Sequence, residues 1–156
     1  MKVEDVMRKS PKSCSPGANL AAVTESLWRS GCGALPVVDT SGKIVGIITD
    51  RDICVAVGTR NKRPSELRAE QAMSHDVAIC ARGDEIHYAL DLMRRRRVRR
   101  VPVIGDTGKL EGILCLSDLI LQARHDDGGQ PALSYEDVMG VLRSIYWHPL
   151  YRIETR

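Results

Sequence analysis

The sequence predicts an α+β fold of the α/β type, with two βαββα units in tandem followed by one extra C-terminal helix. The first observation behind this prediction is an internal repeat, because residues 33–52 return without a gap as residues 99–118, sixty-six positions later. The second is that each copy has two short apolar runs around a Gly-containing turn, the pattern of a β-hairpin. The third is the helical spacing of apolar residues ahead of each hairpin.

The register of the repeat extends upstream of the hairpins, where Met7 corresponds to Met73 and Cys14 to Cys80. A unit of about sixty residues buries too little surface to be stable alone, so we expect the copies to pack together as one compact unit. The predicted division of the chain is a first repeat over 1–60, a linker over 61–66, a second repeat over 67–125, and a linker with a helical tail over 126–156.

The first helix of the first copy is predicted over residues 20–30, after a short extended piece near Cys14. Asn19 can cap this helix, and Gly31 can end it. Its apolar stripe is predicted to consist of Leu20, Val23, Leu27 and Trp28.

Each hairpin turn contains a Gly that can adopt positive φ, Gly42 in the first copy and Gly108 in the second. The chain passes from each hairpin directly into a second helix, predicted over residues 50–57 and 116–124. We expect Gly58 to end the first of these two helices.

In the second copy, the lead-in is followed by an extended piece over residues 77–80 and a helix predicted over residues 86–96. Asp84 or Glu85 can cap this helix, since a carboxylate suits the positive end of the helix dipole. The residues predicted to face inward are Ile86, Ala89, Leu90 and Met93.

The C-terminal tail has no counterpart in the first copy. A flexible break is predicted over residues 126–131, and Ser134 and Asp137 then have capping-box spacing. The helix ends at His148-Pro149 in this interpretation, and one side of it carries Val138, Leu142, Ile145 and Tyr146. The tail can pack back on the repeats, bridge a dimer, or bind a protein partner.

The composition argues against several classes of protein. No run approaches the length of a membrane span, and the N-terminus lacks the apolar core of a signal peptide, so we expect a cytoplasmic protein and no membrane contact. The histidines show no ligand spacing, and there is no C-x-x-C motif, so we predict neither a disulfide framework nor a metal site. The five cysteines are Cys14, Cys32, Cys54, Cys80 and Cys115.

The duplicated motif resembles that of a tandem CBS-domain protein, the paired regulatory module also called a Bateman module. The shared pattern is apolar-Pro-Val-apolar, a Gly turn, and then apolar-Gly-apolar-apolar-Thr/Ser-x-x-Asp, and the resemblance covers about residues 3–124. It implies two βαββα units related by pseudo-twofold symmetry, with a cleft between them that binds an adenine nucleotide such as AMP, ADP, ATP or NAD. It also implies a disc-like homodimer that regulates a partner in signal transduction and is not an enzyme, with no catalytic residues and no catalytic cofactor.

The same resemblance implies the site residues. Asp52 and Asp118 correspond to the Asp that holds the ribose hydroxyls, which suits an ionised carboxylate as hydrogen-bond acceptor. The phosphates would contact hydroxyl and guanidinium groups, here those of Thr49, Arg51, Arg99, Arg100 and Ser117. The adenine slot would be formed by Ser13, Cys14, Leu35, Ile79, Cys80 and Val101.

The two copies are not equivalent at these positions. The second copy has Arg99 and Arg100 where the first has Gly33 and Ala34, so we expect the better phosphate site beside Asp118. The second copy also has Cys115, a weak hydrogen-bonding group, in place of a Thr, although Ser117 can compensate. One bound nucleotide per chain is as consistent with the sequence as two.

Other interpretations of the same residues stay open. Taken singly, Asp52 or Asp118 is explained by a purely structural role, because a carboxylate is favourable at the positive end of a helix dipole. A nucleic-acid-binding protein is the alternative function, since residues 94–100 contain six arginines in seven positions. No aromatic residue lies between Tyr88 and Tyr135 to stack on bases, and we interpret residues 94–97 as a solvated helix end. No P-loop or nucleophile–base motif suggests an enzyme.

Overall fold

Each copy of the repeat folds into a hairpin flanked by helices, which confirms the predicted α+β fold. The computed structural model describes residues 1–125 and 132–147. In chain order, the elements are β1 (Arg8–Lys9), α1 (Leu20–Ser30), β2 (Ala34–Val38), β3 (Ile44–Thr49), α2 (Asp50–Arg60), β4 (Cys80–Ala81), α3 (Ile86–Arg96), β5 (Arg100–Ile104), β6 (Leu110–Cys115), α4 (Leu116–Gln122) and α5 (Tyr135–Tyr146).

The two hairpins have the same register after the sixty-six-residue shift. Pro36 lies opposite Ile47 in the antiparallel pair β2–β3, and Pro102 lies opposite Ile113 in the pair β5–β6. Gly42 and Gly108 occupy the turns with φ of 85° and 72°, a conformation that favours glycine. The second hairpin belongs to a four-stranded sheet of order β1-β6-β5-β4, whereas β2 and β3 form a sheet of two strands. The first strand of the first copy is reduced to one bridge between Cys14 and Val37.

The segment before each copy packs on the hairpin of the other copy. In the N-terminal segment (residues 1–10), Arg8 pairs with Ile113 of β6. In the middle segment (residues 67–76), Ser74 forms the equivalent antiparallel bridge with Ile47 of β3. The two halves of the chain are therefore linked through both segments.

The buried apolar residues form two clusters, one under each hairpin. The first cluster combines residues of α1 and the first hairpin with Leu67 and Ala69 of the middle segment. The second cluster combines α3 and the second hairpin with Val3 of the N-terminal segment. Three residues of the tail region are buried in the second cluster as well: Leu133, Val138 and Val141.

Three helix termini follow the predicted capping. The Asn19 Oδ1 atom accepts a hydrogen bond of 2.9 Å from the backbone N–H of Ala22, and Gly31 ends α1 in the left-handed region. Ser134 and Asp137 form the predicted capping box at the start of α5. The predicted break over 126–131 and the predicted stop at His148-Pro149 lie outside the described residues.

The predicted end of α2 is wrong, and the predicted cap of α3 is met only in part. Helix α2 continues through Gly58 to Arg60 and ends at Asn61, which has φ of 49°. A Gly inside a helix costs only about 1 kcal/mol relative to Ala, and Asn adopts the left-handed conformation readily. At the start of α3, Asp84 does not cap the helix, because its carboxylate accepts a hydrogen bond from the backbone N–H of Ala81. Glu85 occupies the N-cap position without a side-chain cap bond.

Trp28 differs from the other three residues of the predicted apolar stripe of α1, because it is 81% exposed while they are buried. The four residues predicted to face inward from α3 are all buried. Helix α4 ends at Gln122, two residues before the predicted end. Within the described part of the chain, no helix combines the length and the apolar character needed to cross a membrane.

Candidate functional site

A cavity of about 280 Å³ lies between the two repeats. The first copy contributes residues of both hairpin strands and of the first turn of α2. The rest comes from the segment before β4 and from the start of β5 with the two residues before it. We call this space the inter-repeat cavity. Its lining residues are Ala34, Ile47, Thr49, Asp52, Ser74, Asp76, Val77, Ala78, Val98, Arg99 and Arg100.

Thr49 and Asp52 reach the cavity because β3 runs directly into α2. They form a reciprocal capping box, in which the Thr49 backbone N–H and hydroxyl donate to Asp52 Oδ2 at 2.8 and 2.7 Å. The Asp52 backbone N–H donates in return to Thr49 Oγ1 at 3.2 Å. Among the described residues, no group donates a hydrogen bond to Asp52 Oδ1. Oδ2 of Asp52 therefore has a structural role in the capping box. Oδ1 can accept a hydrogen bond from a ligand.

Two arginines line the same cavity from the second copy. Arg99 is exposed, and its Nη1 donates a weak hydrogen bond of 3.4 Å to the Tyr146 hydroxyl. Arg100 is half-buried, and no carboxylate within residues 1–125 and 132–147 forms an ion pair with it. Asp50 is the nearby acidic side chain, since Arg100 Nη2 and Asp50 Oδ2 both lie close to Gly33 without forming an ion pair. A guanidinium that has no direct ion pair can bind an anionic group of a ligand.

The space for Arg100 depends on the absence of a side chain at Gly33. A Cβ atom at residue 33 would lie 3.1 Å from Arg100 Nη2 and 3.3 Å from Asp50 Oδ2. Both distances are shorter than ordinary van der Waals contacts, so a larger residue here would displace one of the two side chains. The equivalent of Arg100 in the first copy is Ala34, so only the second copy projects a cation from this position into the cavity.

The arrangement of the arginines differs from the one expected from the sequence. We expected Arg99 and Arg100 to serve the Asp of their own copy, Asp118, but they share a cavity with Asp52 of the other copy. Asp118 does not line this cavity. Its carboxylate is paired with Arg8, whose Nη2 lies 2.6 Å from Oδ1.

The predicted adenine-slot residues are not in the cavity lining. Three of them, Leu35, Cys80 and Val101, are buried in the two core clusters. Burial raises the pKa of the Cys14 thiol to about 11 and that of the Cys80 thiol to about 12, so both stay neutral at ordinary pH. Ile79 is half-buried, and Ser13 is exposed.

Two of the predicted phosphate ligands lie outside the inter-repeat cavity. Arg51 lines a shallow depression on the outer side of α2, together with Asp52 and Thr59. Ser117 is exposed. Cys115 makes no side-chain cap bond to α4, and burial raises the pKa of its thiol.

Several cavity residues were not predicted, above all those of the middle segment. Ser74, Val77 and Ala78 line the cavity because this segment crosses to the first hairpin. Asp76 also lines it and forms an ion pair with Arg96. The only available signal was the repeat itself, which places Ser74 at the same offset as Arg8.

The arginine run at the end of α3 behaves mainly as a solvated helix end. Arg94 pairs with Asp91 at 3.6 Å, and Arg96 pairs with Asp76. Arg97 is the left-handed residue that ends the helix, with φ of 53°. No group of three or more His, Cys, Asp or Glu side chains in the described residues could hold a metal ion.

A family model described as "CBS domain" matches the chain twice, over residues 3–58 and 69–124. These two matches have the same offset as the internal repeat and contain both hairpins.

Curated relatives match the same region. The uncharacterized protein MK0525 of Methanopyrus kandleri is 30% identical over 76% of this chain, which spans 60% of that protein. An uncharacterized 17.7 kDa protein of Acidianus ambivalens is 31% identical over 89% of this chain and 83% of its own length. The inosine-5'-monophosphate dehydrogenase of Methanocaldococcus jannaschii is 33% identical over 80% of this chain, which spans only 24% of that enzyme.

Solved structures have the same fold. The CBS domain protein TA0289 of Thermoplasma acidophilum, of unknown function, aligns with a TM-score of 0.76 at 22% identity, covering 92% of this chain and 75% of that one. The CBS domain pair of protein MJ0100, solved in complex with 5'-methylthioadenosine and S-adenosyl-L-methionine, aligns with a TM-score of 0.68 at 26% identity. That alignment covers 76% of this chain and 96% of the other.

Proposed function

The chain belongs to the CBS-domain family, and we propose that it is a non-catalytic regulatory module that binds an adenine nucleotide between its repeats. The inter-repeat cavity carries this proposal, because it combines the free Oδ1 of Asp52, two hydroxyl groups, two guanidinium groups and an apolar wall. A second carboxylate of the lining, that of Asp76, is paired with Arg96. Its volume of about 280 Å³ lies near the lower end of the range for small-molecule sites, roughly 300–1,000 Å³.

Each part of an adenine nucleotide has a matching group in the cavity. Oδ1 of Asp52 can accept hydrogen bonds from the ribose hydroxyls. Arg99 and Arg100 supply positive charge for a phosphate, and a charge-assisted hydrogen bond is about twice as strong as a neutral one. Ile47, Val77 and Val98 offer an apolar surface for the adenine ring. We therefore assign the ribose to Asp52 and not to Asp118, the aspartate that the sequence favoured.

The relatives support this ligand class. The two compounds in the MJ0100 structure share an adenosine group with AMP, ADP, ATP and NAD. The two arginines in the cavity favour a phosphate-bearing member of the class. The dehydrogenase contains a matching region as about a quarter of its length, which is consistent with a module that accompanies catalysis without performing it.

Regulation follows from the position of the ligand. A nucleotide held by Asp52 and Arg100 contacts both repeats, so it would stabilise one relative arrangement of the two halves over others. A partner that distinguishes these arrangements would sense the nucleotide. Homodimerisation, a protein partner for the tail and a cytoplasmic location remain predictions drawn from the sequence.

The test is calorimetric titration of the protein with AMP, ATP and NAD, using two matched variants. Asp52→Asn is expected to weaken binding at least tenfold, since a hydrogen bond to a charged group contributes about 1.5–3 kcal/mol. Asp118→Asn is the control, because it makes the same substitution at the equivalent position of the other repeat. Absence of binding at millimolar nucleotide would overturn the proposed function, and an equal loss in both variants would overturn the assignment to Asp52.

A further inference from the structure

The two aspartates at the helix starts have different neighbours, although the repeat makes them equivalent. Ser74 bridges Ile47 of β3 and lines the inter-repeat cavity near Asp52. The residue at the same offset in the other half is Arg8, which pairs with Ile113 of β6. A short neutral side chain therefore occupies one position, and a long cationic side chain occupies the other.

Arg8 is long enough to reach both oxygens of the Asp118 carboxylate. Its Nε lies 3.0 Å from Oδ1 and 2.9 Å from Oδ2, and its Nη2 lies 2.6 Å from Oδ1. These hydrogen bonds raise the pKa of the Arg8 guanidinium above its ordinary value, so the side chain stays charged at any physiological pH. The Asp118 side chain is only 13% exposed. Both of its oxygens are occupied, whereas Oδ1 of Asp52 accepts no hydrogen bond from the described residues.

The backbone of the N-terminal segment holds Arg8 in this position. The segment is anchored by the β1–β6 pairing and by a backbone hydrogen bond of 3.0 Å from the Ser10 N–H to the Glu111 carbonyl. Met7 packs where a Cβ of Gly112 would otherwise lie. Val3 is fully buried in the second core cluster. The fold of the N-terminal segment consequently places the guanidinium beside Asp118.

The residue three positions before each aspartate reinforces the difference. The hydroxyl and the backbone N–H of Thr49 both donate to Oδ2 of Asp52, so this oxygen is used within the first repeat. Cys115 at the equivalent position makes no side-chain cap bond. Asp118 is therefore not held by a capping box and is bound by Arg8 instead.

We propose that Arg8 is a built-in occupant of the second nucleotide position and limits the chain to one bound nucleotide. This inference rests on the proposed function, since it presumes that the cavity at Asp52 binds an adenine nucleotide. A ribose is neutral, so its hydroxyls must displace a charged guanidinium that makes three hydrogen bonds to Asp118. The guanidinium is part of the same chain, so it competes at a fixed effective concentration and raises the nucleotide concentration needed to occupy this position.

The experiment measures binding stoichiometry in the wild type and in the double variant Arg8→Ser/Cys115→Thr. The double variant gives Asp118 the two residues that lie at the equivalent positions near Asp52, Ser74 and Thr49. We expect AMP to bind the wild type at one site per chain and the double variant at two. Adding Asp118→Asn to the double variant should return the stoichiometry to one.

The control is Arg82→Ser, which removes the same charge from the second copy at a residue paired with Asp106 and Glu111. Its stoichiometry should stay at one, and circular dichroism checks that every variant is folded. A wild type that binds two AMP molecules would overturn the role of Arg8 while supporting the proposed function. A wild type with one site and a folded double variant that also has one would overturn the inference alone. No binding by the wild type would overturn both.

Discussion

The side chain at the end of the second hairpin strand differs between the copies, and so does the partner of the following aspartate. Thr49 caps α2 and holds Asp52, while Cys115 leaves Asp118 to Arg8. In the copy that has the Thr49 hydroxyl, one oxygen of the following aspartate stays available beside the cavity. This difference between Thr and Cys has consequences because a hydroxyl group is a strong hydrogen-bond donor and acceptor, whereas a thiol is weak in both roles.

Arg100 is the residue whose function is most directly testable. Arg100→Ala should weaken AMP binding about tenfold, because it removes one charge-assisted phosphate contact worth about 1.4 kcal/mol at a half-buried position. Binding of adenosine, which has no phosphate, should change little. Calorimetry with both ligands measures the difference between them.

Arg95→Ala is the matched control for Arg100→Ala, since Arg95 is exposed and does not line the cavity. It removes an equal charge from the same arginine run. If both variants weaken AMP binding to the same extent, the effect is one of net charge, and the phosphate role of Arg100 is wrong.

Helix α5 is the element that makes the two halves unequal. It packs on the second core cluster through Val138 and Val141, whereas nothing among the described residues covers the first cluster in the same way. Its last residue, Tyr146, accepts a hydrogen bond from Arg99 of the cavity. The described part of the tail therefore packs back on the repeat, and its end contacts a residue of the proposed site.

Packing of α5 should contribute measurably to stability. Val141 is fully buried, so Val141→Ala should lower the free energy of unfolding by about 2 kcal/mol through lost burial and a small cavity. Met139→Ala on the same helix is the control, because Met139 is 48% exposed and its change should cost less than about 0.5 kcal/mol. Urea unfolding measures both values, and equal losses would contradict the packing described here.

At the scale of the whole molecule, the crossing of the two segments joins the halves. Val3 completes the core of the second copy, and Ala69 completes that of the first. Each hairpin also packs a methionine of the crossing segment against a glycine, Met73 at Gly46 and Met7 at Gly112. Neither half can unfold without exposing part of the other.

We therefore expect the halves to unfold in a single transition. Amide hydrogen exchange at increasing urea concentrations follows α1 in the first half and α3 in the second half separately. The urea midpoints of the two helices should coincide with each other and with far-UV circular dichroism. Two distinct midpoints would show that the crossing segments do not couple the halves.

The sequence alone determined the elements and their order. The hairpins, the caps at Asn19 and Ser134 and the buried face of α3 follow from turn residues, capping residues and apolar spacing, all of which act over a few positions. The duplication also identified Thr49, Asp52, Arg99 and Arg100, which line the inter-repeat cavity. The exposure of Trp28 could not be predicted, because helical periodicity locates the apolar side of α1 but does not show where that side ends and the solvent-exposed side begins.

Only the tertiary structure decided which of these residues meet. Arg8 and Asp118 are 110 positions apart, and no local pattern relates them. The repeat is equally compatible with each segment packing on its own copy or on the other one, and the choice moves Ser74 to Asp52 and Arg8 to Asp118. The physical reason is that short-range preferences specify strands and helices, whereas the partner of a charged side chain depends on how the two halves cross.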